Sequence, residues 1–324
     1  MARTHQHHTA SESVTQRKVL VVVGPTASGK STVSLLIAHE LHGEIISADS
    51  RQVYKMLDVG TAKVTPQDLR TIQHYFVDEL MPQEEMNAGL FGTRGREIID
   101  HIFEGKKIPI VVGGSGLYIQ GLIDGLFEGP GADEMLRKDL YERMHREGAA
   151  VLLEELRHVD PVAASTMLPS NTRRIARALE VYKLTGVPIS KLHKKTLIAP
   201  RFTPLMVGLA WDRKVLYARI NKRVDWMIES GLVEEVERLK TAGYTSSLKA
   251  LQTVGYKEVF EYLDGRVTRS RMIELIKQNS RRYAKRQLTW FRADSRIRWF
   301  DVKSEDDFPS VAHHICEWYS HPAE

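Results

Sequence analysis

Three short stretches of this 324-residue chain carry side chains whose types and spacing could do chemistry. The first is Gly24, Pro25, Thr26, Ala27, Ser28, Gly29, Lys30 and Ser31, which spells G-x-x-x-x-G-K-S after an apolar run and before an amphipathic segment. Its glycines let backbone N–H groups face an anion, Lys30 adds positive charge, and the Ser31 hydroxyl can reach a magnesium ion. This is the phosphate loop of ATP-binding and other nucleotide-binding proteins, and by itself it does not say whose phosphate it holds.

The second is the acid of "EIISAD". A phosphate-loop NTPase usually has an apolar strand ending in an acid that steadies magnesium, but "IPIVVGG" ends in glycines. Asp49 instead ends the strand directly after the first helix, at the carboxyl edge where α/β sheets bind ligands. There it suits taking a proton from an acceptor substrate better than holding the metal. The competing reading is a helix cap. The third stretch, "GGSGLY" (113–118), lets backbone approach a ligand closely and sets the Ser115 hydroxyl beside it, although such turns also serve as plain strand-to-helix punctuation.

Two longer stretches are basic. In "DRKVLYARINKRVDWMI", Leu216, Ile220 and Val224 form a helical stripe for the core, with Arg219 and Arg223 beside it at i, i+4. The pair could clamp a diphosphate or form a solvated face. Lys277–Arg298 holds eight basic residues against one acidic, interleaved with Tyr283, Trp290 and Phe291. Basic groups track a nucleic-acid backbone and aromatic rings stack bases. Trp290 and Phe291, just before a strand, are expected in the core.

The elements that must position these residues are legible as runs. "KVLVVVG", "GEIISAD", "KIPIVVGG", "TPLMVGLAW" and "RIRWFDV" read with little alternation, as strands buried on both faces do, and helical patterns separate them. The expected fold is therefore α/β with a mostly parallel sheet flanked by helices. Some eighty residues between "VVGGSGLY" and "TPLMVGLAW" hold helical patterns only, one starting at an Asn171 cap and stopping at Gly186. The expected division is a disordered tail at 1–16, a core at 17–125, a helical insertion at 126–199, and a second core part at 200–324 that is helical, basic and closed by a final strand. The tail's His5, His7 and His8 are read as having no function. With 42% hydrophobic residues the chain can bury a full core. A single cysteine, Cys316, excludes an internal disulfide and fits a reducing cytosol. No apolar run approaches a membrane span, and the start lacks a secretory pattern. The net charge of +5 is a weak hint of a polyanionic partner.

With these pieces in order, the chain resembles tRNA dimethylallyltransferases, the isopentenyltransferases of tRNA, from about Lys18 to about Val302. The likeness rests on "GPTASGKS", "SADSRQVYKMLDVGTAK", "VVGGSGLY", "NTRRIARALEVYKLTGVPIS", "VGYKE" and "YAKRQLTWFR". It implies a P-loop NTPase-like fold whose loop holds dimethylallyl diphosphate with Mg²⁺, not a nucleoside triphosphate. The five-carbon group would pass to N6 of the adenosine just 3′ of the anticodon. Asp49 would accept the N6 proton, Ser115 would sit against the substrate, and Arg219 would neutralise the leaving diphosphate. Asp49, Ser50, Arg51 and Gln52 would meet the flipped base and its neighbours. Further tRNA contacts would come from Arg173, Arg174, Ile175, Ala176 and Arg177, and from Arg137, Gly255, Tyr256 and Lys257. The implied protein is a cytoplasmic monomer whose partners are a tRNA anticodon stem-loop and dimethylallyl diphosphate, with no membrane. Two departures stand out: Ser115 replaces the threonine of many members, and Met86-Asn87 stands where members carry Tyr-Ser. The rival readings are a small-molecule phosphoryl-transfer kinase and a nucleotide-gated RNA-binding module.

Overall fold

The computed structural model describes residues 17–126, 129–131, 133–195 and 200–321, so the expected tail at 1–16 lies outside the described residues. Six strands, β1 (Lys18–Val23), β2 (Gly43–Ala48), β3 (His74–Tyr75), β4 (Ile108–Gly113), β5 (Thr203–Trp211) and β6 (Ile297–Val302), form one sheet in the order β3-β2-β4-β1-β5-β6. Every pair is parallel. The five expected strands are all present. The short edge strand β3 was not foreseen, because two residues are too few to show a period.

Parallel strands need crossovers, and helices supply them. They are α1 (Lys30–Glu40), α2 (Pro66–Thr71), α3 (Ala88–Glu104) and α4 (Gly116–Ile123) before the insertion. Within it lie α5 (Glu134–Glu147), α6 (Ala149–Val159), α7 (Pro161–Ala164), α8 (Thr172–Thr185) and α9 (Ile189–Lys195). After β5 come α10 (Arg213–Glu229), α11 (Leu232–Thr241), α12 (Tyr256–Leu263) and α13 (Arg269–Arg292), and after β6 α14 (Phe308–Ser320). The central strand β1 serves two cores by alternation. Leu20 and Val22 join Val33, Ile37, Phe308 and Ile315 from α1 and α14, while Val19, Val21 and Val23 join the larger core that holds Phe91, Leu122, Tyr256 and Phe291. Phe291 is thus buried as expected, but its neighbour Trp290 is 48% exposed. On a helix, successive residues point about 100° apart, so one of the two had to leave the core.

The insertion has a core of its own, built from Leu140, Leu152, Leu156, Ile175, Ala176 and Leu179. Gly186 ends α8 in the left-handed conformation (φ 68°), as read from the sequence. Asn171 turns the other way: its side chain accepts from the Leu168 N–H (2.8 Å) and does not cap the helix. The buried Glu180 carboxylate is held by Arg137 (Nε 2.8 Å), Arg177 (NH1 2.7 Å) and the Asp133 N–H (2.9 Å). Burial alone would raise its pKa, but the bonds from Arg177, Arg137 and Asp133 outweigh it and hold the carboxyl below its ordinary range. The expected tRNA set divides by burial. The side chains of Ile175 and Ala176 are core, and those of Arg137 and Arg177 are engaged inside the insertion. Only Arg173 and Arg174 of that segment are exposed.

Replacing Glu180 by Gln removes the charge that both guanidinium groups satisfy. The expected cost is about 1–3 kcal/mol, since the arginines are partly solvated and part of the buried-pair penalty is relieved. Denaturant titration should read this loss, and hydrogen exchange should place it in α5–α8. Affinity for inorganic diphosphate should stay as in the wild type.

Candidate active site

The site is set by one rung of the sheet. Gly113 at the end of β4 stands opposite Val23 of β1 on one side and Ala48 of β2 on the other. A side chain at Gly113 would lie 2.1 Å from the Ala48 carbonyl oxygen, so this close approach needs glycine. The phosphate loop, the Ser115 loop and the Asp49 loop therefore leave the sheet side by side. The Ser115 N–H donates to the Ala48 carbonyl (3.2 Å), and the Ser50 N–H donates to the Ser115 hydroxyl (3.1 Å). Tyr283 of α13 borders both cavities of the cleft. Burial, then the Asp49 charge, pushes the Tyr283 phenol up to about 12.

Asp49 divides its two oxygens. Oδ1 accepts the backbone N–H groups of Arg51 (2.8 Å) and Gln52 (3.4 Å), which fixes the turn after β2. No helix follows, so the capping alternative reduces to this turn. Oδ2 accepts no hydrogen bond among the described residues, and the carboxylate borders both cavities of the cleft.

The phosphate loop is held from several sides. Trp211 Nε1 donates to the Ser28 carbonyl (3.0 Å) and Arg219 Nε to the Ala27 carbonyl (2.9 Å). Ala27 is itself in the left-handed region (φ 63°), a conformation that persists only when its surroundings impose it. Lys30 Nζ donates to the Pro25 carbonyl (2.7 Å). Desolvation, reinforced by the Arg223 charge and opposed by Asp49, brings the Lys30 ammonium down to about 7. Arg223 reaches the Thr61 carbonyl through NH2 (3.1 Å), while its buried Nε has no partner among the described residues. Two basic groups crowded beside one carboxylate make the pocket attractive to an anion.

Two cavities meet at this point. The inner one, about 80 Å³, is lined by Lys30, Ser31, Ser47 and His74. The outer one, about 480 Å³, is lined by Ser50, Arg51, Thr61, Met227 and Gly255. Thr26, Asp49, Arg223 and Tyr283 border both. A small polar chamber suits an anion, and a larger half-apolar one suits a base or a short hydrocarbon, with Asp49 where the two would touch.

Several expected residues take other places. Arg219 is turned away from the cleft: it stacks on Trp211 (4.4 Å) and Phe308 (5.7 Å) and pairs with Glu305. Its partner in the i, i+4 pair, Arg223, lines the cleft, because the two share one helix face but stand about 6 Å apart along the axis and so reach different parts of the site. The Gln52 amide is spent internally, on Ser47 Oγ (3.3 Å) and the carbonyls of Thr61 and Ala62 (3.4 and 3.3 Å). Tyr256 is fully buried with its hydroxyl on Glu235, and the Gly255 N–H donates to Glu258 (2.8 Å), leaving Lys257 as the exposed residue of that motif. Met86 is core and Asn87 caps α3 by accepting from the Leu90 N–H (2.9 Å), so this departure from the family pattern does structural work. Sequence reasoning missed three contributors. His74 sits on the unforeseen strand. Gln287 lay unread inside the basic stretch, and Tyr283 was read there as a base-stacking ring and not as a cleft residue, although their i, i+4 spacing places them on one helix face.

Comparison with known proteins places these features in company. The sequence model of the IPP transferase family matches residues 52–294. The tRNA dimethylallyltransferase of Thermoanaerobacter sp. (strain X514) is 44% identical over 308 residues, covering 93% of this chain and 97% of the relative. That of Pelotomaculum thermopropionicum is 45% identical over 299 residues, covering 92% and 95%. Among solved structures, the tRNA isopentenylpyrophosphate transferase of Bacillus halodurans superposes with a TM-score of 0.69 at 39% identity, covering 94% of this chain and 98% of that one. A eukaryotic dimethylallyltransferase acting on tRNA gives a TM-score of 0.77 at 29% identity, covering 92% and 77%.

Two measurements check the site's electrostatics. Arg223→Gln should weaken binding of inorganic diphosphate at least tenfold, since it removes a charge-assisted contact worth about 1.5–3 kcal/mol; Arg219→Ala should mainly lower the melting temperature. Calorimetry on both variants decides between them. In metal-free buffer, the wild type should bind inorganic diphosphate more weakly as pH rises from 6 to 8. Above about 7 the free Lys30 is neutral and must take up a proton to meet the anion. The decline should approach tenfold per pH unit at most and vanish in Lys30→Met.

Proposed function

Because this chain belongs to the tRNA dimethylallyltransferase family, the IPP transferases, we propose that its cleft moves a dimethylallyl group from dimethylallyl diphosphate to N6 of the adenosine 3′-adjacent to the anticodon of tRNA, releasing diphosphate. The observation that carries this reading is the junction of the two cavities, where the partner-free oxygen of Asp49 lies beside Lys30 and Arg223. The allylic C–O bond breaks as the C–N bond forms. Negative charge grows on the leaving diphosphate, where Lys30, Arg223 and the loop N–H groups receive it. The proton shed by N6 passes to Asp49, without which an aromatic amine is a poor nucleophile. Ser115, tied to the Asp49 loop through the Ser50 N–H, fixes the gap across which transfer occurs.

Magnesium fits the donor set. The Ser31 hydroxyl is a hard oxygen lining the inner chamber, and it would hold Mg²⁺ together with substrate phosphates, which leaves Asp49 for the proton. When bound, it would spread the charge of the diphosphate.

The RNA side of the reading rests on exposed cations. Arg282, Lys285, Arg286 and the half-exposed Trp290 border a groove of about 1000 Å³ along α13, and Arg286 also lines the outer cavity of the cleft. Arg173 of the insertion faces Lys257 and Arg266 across a smaller recess of about 350 Å³. Anticodon-loop bases are already single-stranded, so turning one into the outer cavity costs little pairing energy. No described helix is long and apolar enough to cross a membrane. A cytoplasmic monomer meets these needs.

The test supplies unmodified tRNA with labelled dimethylallyl diphosphate or labelled ATP. Label from the diphosphate should enter tRNA, with ATP left intact; turnover of ATP would establish the kinase reading instead. Asp49→Asn keeps the acceptor that holds the turn but cannot take up a proton. Its turnover should drop by about 10²–10⁴-fold, with diphosphate affinity and melting temperature close to wild type.

A further inference from the structure

Gln287 lies in the last turns of α13, among exposed cations, yet it is only 6% exposed itself. Its side-chain amide joins two loops that are remote in the chain. Oε1 accepts from the Thr26 N–H of the phosphate loop (2.8 Å), and Nε2 donates to the Gly114 carbonyl (2.9 Å). One end must accept and the other donate, from a single planar group of fixed width. A carboxylate lacks the donor and an ammonium lacks the acceptor, so the bridge is specific to an amide. Gly114 is matched to it: a methyl group there would come within 2.2 Å of Gln287 Nε2, against backbone that has no positive φ to forbid alanine.

The bridge spans the part of the cleft where spacing matters. Thr26 borders both cavities, and Gly114 immediately precedes Ser115. With the Thr26 N–H committed to Gln287, the anion is left to the N–H groups further along the loop and to Lys30. That draws the diphosphate toward the Ser31 end of the loop. One turn earlier on the same face of α13, Tyr283 borders both cavities, so the helix that carries the bridge also lines the cleft.

We propose that Gln287 is a positioning residue for the transfer: it sets the distance between the diphosphate seat and the Ser115–Asp49 side of the cleft, and thereby the affinity of the loop for diphosphate. This rests on the functional reading above insofar as the loop's anion is the diphosphate of the donor.

The experiment is a double-variant cycle of Gln287→Ala, Gly114→Ala and both together. Each protein is measured for its dissociation constant for inorganic diphosphate, for kcat and both KM values, and for melting temperature. Gln287→Ala should weaken diphosphate binding and raise the donor KM about tenfold, while the tRNA KM stays within about twofold. Gly114→Ala should do the same by displacing the amide. The double variant should be no worse than the poorer single, as expected when two changes disable one interaction. If Gln287→Ala lowers only the melting temperature and leaves diphosphate affinity and donor KM unchanged, the residue merely stabilises the fold and the proposal fails. Strictly additive losses would overturn it as well. A wild type that binds inorganic diphosphate but transfers nothing to tRNA would overturn the functional reading, and the diphosphate affinities would still decide the role of Gln287.

Discussion

The rung that aligns Ala48, Gly113 and Val23 governs the rest of this molecule. Parallel strands hydrogen-bond in fixed register, and a shift of one residue would turn every side chain to the opposite face. Because the register is pinned by buried β-branched residues on both faces of β1, β2 and β4, the residues that follow those strands emerge at one height. A phosphate loop, a serine and a carboxylate separated by up to ninety positions in the chain thus share one cleft. The aromatic and guanidinium groups of Trp211, Phe308 and Arg219 then brace the back of the phosphate loop, where a left-handed Ala27 would otherwise relax.

Charge is the second organising factor. Lys30 and Arg223 face one another in a site shielded from solvent, and Asp49 compensates them only in part. Positive charge gathered in a desolvated pocket favours an anion, and under the proposed function the same residues would lie where the leaving group gathers charge.

Charged residues that look alike in the sequence divide by burial. Arg137 and Arg177 belong to the interior of the insertion through Glu180, Arg219 belongs to the brace behind the phosphate loop, and Arg173, Arg282, Lys285 and Arg286 remain on the surface. An arginine whose guanidinium is bonded to a buried carboxylate has fewer donors left to meet a phosphate backbone than one that is fully exposed. The distinction matters for reading any basic motif as a binding motif, since Ile175 and Ala176 of the same segment are core.

The amino-acid sequence by itself determined the α/β class, five of the six strands and the helical character of the insertion, and it singled out Lys30, Asp49 and Ser115 as candidates. These follow from local signals: β-branched runs, glycine spacing, helical periodicity and the backbone freedom of a G-x-x-x-x-G-K-S loop. Only the tertiary structure decided that β4 enters the sheet between β2 and β1, which seats Ser115 between Asp49 and the phosphate loop. It also set Arg223 along the cleft and Arg219 behind the phosphate loop, and brought Tyr283 and Gln287 from α13 to the cleft. Those outcomes depend on which helix face meets which loop across hundreds of residues. Local sequence specifies the period of a face, while its partner is set by the packing of the whole chain.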